Sequence, residues 1–145
     1  MIRTVSFAAA LGAFAAAAAA LAQTSKPVTA KILETQKTVA GQPLEAPAGQ
    51  LEAIATTVDL ADDAEIPVHM HFWPRYVYVQ EGELELTLLD SGRVLKFRKG
   101  QMIVEPLRLW HKGRVTKGPA RLLSVEQVPP GQANTVPPPD AEPKG

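Results

Sequence analysis

The sequence predicts an all-β domain over residues 51–128, and three observations carry that prediction. Short apolar runs alternate with period two and are rich in β-branched and aromatic residues. Turn chemistry separates them about every 8–12 residues, the spacing of a β-sandwich or barrel. No amphipathic helical pattern occurs after residue 22.

Taken in order, "LEAIATTVDL" (51–60) alternates as a strand and "ADDAE" (61–65) reads as a loop. "PVHMHFWPRYVYVQ" follows, and the β-branched and aromatic residues of "RYVYVQ" favour a strand. Glu81-Gly82 is expected to be a tight turn. "ELELTLL" (83–89) then puts Leu84, Leu86 and Leu88 on one face. Asp90-Ser91-Gly92 is a hairpin signal leading into "RVLKF", and Lys99-Gly100 turns the chain into "QMIVEP". After "LRLWHKGRV", the "TKGP" segment is expected to turn the chain into a last strand, "ARLLSVEQV". Leu84, Leu86, Leu88, Ile103 and Val104 are the candidate core or barrel wall. Residues 23–50 read as an extended polar segment with room for a short strand near Lys31–Leu33. Residues 129–145 form a Pro-rich tail that cannot pair centrally in a sheet.

Residues 1–22 read as a secretory signal peptide. Arg3 precedes an uncharged, alanine-rich run ending in Ala20-Leu21-Ala22, which suits cleavage after Ala22. Alanine is weakly hydrophobic, so no stable membrane anchor is expected, and the mature protein would be periplasmic or secreted. The chain has no cysteine, which excludes a lipoprotein anchor, disulfides and thiolate metal sites. Lys+Arg and Asp+Glu are both 15 and are interleaved, so the positive field a nucleic-acid partner needs is missing.

The chain has three histidines, and two stand one residue apart, at His69 and His71. Residues i and i+2 of a strand share a face, so an extended segment aims both imidazoles at one place. Imidazole is the commonest metal-binding side chain, although such a pair also occurs on solvated strands. The third, His111, lies after the next strands, where antiparallel pairing can bring it across.

This pattern resembles the two cupin motifs. The first runs roughly G-x5-H-x-H-x3–4-E-x6-G, and His69, His71 and Gly82 fall at its spacing. Arg75 stands in the glutamate position, and the leading glycine is absent. The second runs roughly G-x5-P-x-G-x2-H-x3-N, which Gly100, Pro106 and His111 fit; Arg108 replaces the inner glycine and Val115 the asparagine. The resemblance covers about residues 51–128. It implies a single-domain cupin, a jelly-roll β-barrel, with His69, His71 and His111 as ligands of a divalent transition metal such as Fe, Mn, Ni, Zn or Cu. It also implies a small-molecule ligand, an oxidative, dioxygenase-like reaction and a homodimer. A non-enzymatic binding cup, with or without metal, is the alternative, and an epimerase-type isomerase a third reading.

Arg75 departs most from the family pattern. Arginine carries no acceptor and cannot be a ligand. Three neutral imidazoles leave the ion's charge intact, which favours an anionic small molecule. Arg75 could grip its carboxylate from inside, or turn outward to Glu81, Glu83 or Glu105. A third reading has the metal lost and the cup holding an organic ligand. Glu105 is the best substitute carboxylate by chain position, although motif spacing does not place it inward. Trp73 and Tyr78 are candidate substrate-binding residues. Phe72, Trp73 and Trp110 equally suit core or rim packing, and Tyr76 shares a strand face with Tyr78.

Overall fold

The computed structural model describes residues 27–139, and its compact unit begins at Lys31. Residues 1–22, read above as a signal peptide, and the end of the tail lie outside the described residues. Within them are seven strands and no helix: β1 (Glu52–Leu60), β2 (Glu65–His71), β3 (Arg75–Leu88), β4 (Val94–Arg98), β5 (Met102–Val104), β6 (His111–Val128) and β7 (Thr135–Val136).

Two long antiparallel strands, β3 and β6, form the spine, paired from Arg75↔Glu126 to Leu88↔His111. The free edge of β6 is shared by β2 along its first half and β1 along its second. The free edge of β3 is shared by β5 and β4. The sheet is thus built from a few long-range pairings.

The expected turns at Glu81-Gly82 and at "TKGP" are not turns. Both strands run straight through them, with register shifts between Val79 and Leu84. Gly82 and Gly118 take positive φ (79° and 62°) inside the ladder, which makes bulges rather than reversals. The bulges change the phase of the inward face. On β3 the buried positions are Val77 and Val79, then Leu84, Leu86 and Leu88; on β6 they are His111, Gly113 and Val115, then Ala120, Leu122, Ser124, Glu126 and Val128. Without the flip, half of each strand would turn its apolar set to solvent. The two irregularities meet: a Cβ on Gly82 would stand 2.7 Å from the Pro119 carbonyl oxygen.

The core gathers Val77, Val79, Leu84, Ile103 and Leu122, with Val39, Val58, Leu60, Ile66 and Phe97 packed against them. No strand forms at residues 31–33, and Ile32 is exposed. The tail does more than rest on the surface. β7 pairs with Met70 and His71 at the end of β2. Beside it, Asn134 is buried, accepting the backbone N–H groups of Phe72 (3.0 Å) and Trp73 (2.8 Å) and donating to Glu126 (2.6 Å).

Candidate metal centre

His69 and His71 lie two apart on β2, and β2 pairs with β6 so that His69 and His111 are direct antiparallel partners. The three rings therefore meet, with centroids 4.9 Å (69–71), 4.4 Å (69–111) and 5.2 Å (71–111) apart. His71 and His111 are fully buried.

Each ring is oriented through Nδ1. That of His69 lies 2.7 Å from the Pro67 carbonyl and that of His111 lies 2.8 Å from the Leu109 carbonyl, in both cases the residue two before. A carbonyl only accepts, so both Nδ1 atoms carry the proton and both Nε2 atoms present a lone pair. His71 Nδ1 is 3.3 Å from the Thr135 hydroxyl. The Nε2 atom of His111 is buried without a hydrogen-bond partner, and that of His71 meets Glu105 Oε2 at 3.1 Å. Burying an acceptor unpaired is costly, and a cation where the three rings meet removes that cost.

A fourth group joins them. Glu105 follows β5 directly, and its N–H donates to the Arg75 carbonyl (2.9 Å), which turns it to the face shared by Ile103 and Val77. Its Oε2 lies 3.1 Å from His71 Nε2 and its Oε1 4.0 Å from His111 Nε2. The donor atoms of His69, His71, His111 and Glu105 all lie within 4.8 Å of one another, close enough to hold a metal ion. The sequence motif left Glu105 unassigned. Strand phase from Ile103 would have placed it inward, but Ile103 and its neighbour Val104 are both buried, which hides the alternation.

Arg75 also faces inward. Its Nε lies 3.2 Å from Glu105 and its Nη1 3.6 Å from Glu126, while it donates to the hydroxyls of Thr135 and Ser124 at 3.0 Å each. Of the sequence alternatives, the structure combines parts of two: the guanidinium points into the cup, and it is paired with Glu105 there.

The electrostatics favour neutral imidazoles at His69 and His111 beside a charged carboxylate. Burial depresses the pKa of His69, and burial carries that of His111 down to about 4. Burial pushes Glu105 up, but the hydrogen bond to His71 and the charges of His71, Arg75 and His111 outweigh it and bring it to about 2. Those are the protonation states a metal requires of its ligands.

A cavity of about 460 Å³ adjoins the cluster. Its polar end is His69, Arg75, Glu105, Ser124 and Thr135; its body is apolar, with Val58, Leu60, Ile66, Val68, Val77 and Leu122. The structure does not bring Tyr78 or Trp73 to this cavity. Tyr78 alternates with the inward Val77 and Val79 and so points to the opposite face, where Met102 and Leu123 flank it. Trp73 packs edge-on against Phe72 and lines separate surface hollows with Arg108.

The comparisons with known proteins agree with this architecture. The chain resembles in structure the DMSP lyase DddQ from Ruegeria pomeroyi DSS-3 (TM-score 0.52, 20% identity, 62% of this chain and 45% of that one). It likewise resembles the oxalate decarboxylase from Lactobacillus farciminis (0.50, 19%, 58% and 26%). Protein NMB1881 from Neisseria meningitidis aligns at 25% identity over 55% of this chain and 84% of that one, with a TM-score of 0.45. The chain spans less than half of the lyase and about a quarter of the decarboxylase. No curated protein matches the sequence. The model of the cupin domain matches residues 56–126, and the strands, the inward histidines and the cup say the same: this stretch of the chain is a cupin domain.

Proposed function

We propose that the protein is an exported cupin that holds a divalent transition metal on His69, His71 and His111 and acts on a small anionic molecule in the adjoining cavity. The observation that carries this reading is the convergence of three imidazoles and a carboxylate within 4.8 Å of one another, with the Nε2 lone pair of His111 buried and without a hydrogen-bond partner. A bound ion would supply Lewis acidity or oxygen activation, and a dioxygenase-like reaction is the class we assign.

The chain's own residues set the conditions. The Pro67 and Leu109 carbonyls fix the tautomer of two ligands. Val58, Leu60 and Leu122 keep water from the apolar side. Arg75 carries one positive charge against the two negative charges of Glu105 and Glu126. A divalent ion would turn that balance to +1, which suits a monoanion. The guanidinium is already engaged by four groups, so the anion's partner is the ion rather than a free arginine.

The second reading, a binding cup without turnover, is favoured by the cavity's apolar body. Export rests on the leader pattern of residues 1–22. A homodimer is proposed because β1 pairs only with β6 among the described strands, leaving a nine-residue edge for a second copy. The first experiment is metal analysis of protein made in metal-replete medium. Close to one equivalent of a transition metal, lost in His111→Ala, is expected; less than about a tenth of an equivalent in the parent sinks the metal reading. Oxygen uptake across small carboxylates and phenols then separates enzyme from binding cup.

A further inference from the structure

We propose that Glu105 is the fourth protein ligand of the metal, supplied from the strand opposite the place where the family motif carries its carboxylate, and that Arg75 is its positioning residue. This rests on the three-histidine reading above and extends it.

Residues directly opposite each other in an antiparallel pair have their Cβ atoms about 4.5–5.5 Å apart on one face. The Arg75 carbonyl accepts the Glu105 N–H, continuing the register Tyr76↔Val104. A carboxylate on either strand can therefore reach the same point inside the cup. In this chain arginine takes the motif position and the acid takes its cross-strand partner.

An ion pair explains why Glu105 lies beside Arg75, but not where its carboxylate lies. His111 must carry its proton on Nδ1, because Leu109 offers that atom only a carbonyl. Its Nε2 is then an acceptor, buried without a hydrogen-bond partner, and Glu105 Oε1 stands 4.0 Å from it, with Oε2 3.1 Å from Nε2 of His71. The His111 lone pair and the Glu105 carboxylate are acceptors buried face to face, and they repel unless a cation lies between them. The carboxylate is held there by Arg75 Nε (3.2 Å), and Arg75 is itself fixed by Ser124 and Thr135. Supporting groups of this kind typically change metal affinity about 10–100-fold when removed.

Cobalt(II) tests the assignment, because its d–d absorption reports the donor set independently of any reaction. Titration of the parent, Glu105→Gln and the double exchange Arg75→Glu with Glu105→Arg gives affinity and spectrum together. Glu105→Gln is expected to bind cobalt at least about 10-fold more weakly, with an altered spectrum. The double exchange should recover both. Parental affinity and spectrum in Glu105→Gln overturn the assignment, as does a folded double exchange that binds no better than Glu105→Gln. Should the double exchange not fold, the Glu105→Gln comparison decides alone. A parent that takes up no cobalt defeats the underlying metal reading instead, so the two failures are distinct.

Discussion

Two backbone carbonyls decide what His69 and His111 can do, since each fixes its ring by accepting the Nδ1 proton. The same residues set a pH dependence. His111 has its pKa depressed by burial to about 4 from 6.5, so between those values the unfolded chain binds more protons than the folded one. Stability of the metal-free protein is therefore full above about pH 6.5 and falls as pH drops toward 4, by about 3 kcal/mol from this residue. Glu105, depressed from 4.5 to about 2, extends the loss in the same direction below pH 4.5. Urea midpoints of chelated protein at pH 7.5, 5.5 and 4.5 would read the slope, and a flat profile contradicts it. Asn134 is the other decisive single residue. Asn134→Ala removes hydrogen bonds to Phe72, Trp73 and Glu126, leaving buried partners unpaired. We expect a loss of about 3 kcal/mol in urea denaturation. The histidines were legible because their side chains follow strand periodicity. Glu105 was legible as a candidate by chain position but not in its orientation, and Asn134 not at all, because their placements depend on cross-strand register and on the tail's return, which no local pattern encodes.

For the elements, the informative misreadings are the two glycine-centred segments taken for turns. A glycine beside Glu81, or within "TKGP", carries the same local signal whether the chain reverses or bulges, because both need positive φ. The change of apolar phase from Val77 and Val79 to Leu84, Leu86 and Leu88 does not separate the two, since a reversal also permits it. Gly82 is the more demanding of the two. Gly82→Ala combines a left-handed backbone with a Cβ 2.7–2.8 Å from Pro119 and Ala120, so destabilisation of about 3 kcal/mol is expected by thermal or urea unfolding. The opposite lesson comes from two motif positions that lost glycine. Asp63 and Arg108 stand where the cupin motifs place the leading and inner glycines, and they are the two non-glycine residues with positive φ among the described residues (59° and 52°). The backbone has kept its shape there while the side chain changed, so the sequence departures exaggerate the structural ones.

Over the whole molecule, the strand ladder runs from Glu52 to Val128, and most of its alternation can be read from the text. The pairing order could not be read, since β6 meets β3, β2 and β1 at once. Binding of an ion to the assembled cup and not to the open chain stabilises the fold by mass action. At a free concentration about 100-fold above Kd the gain is about 2.7 kcal/mol, a rise of roughly 10 °C in Tm. Differential scanning calorimetry with and without chelator should show that rise in the parent and its absence in His111→Ala.

Because β6 supplies one imidazole, β2 two, and the segment after β5 the acid, no stretch of the nascent chain carries the set. A polypeptide threaded unfolded through a membrane would arrive empty-handed. Its metal would then be chosen by whatever ions the destination offers at the moment the barrel shuts, rather than by the compartment of synthesis.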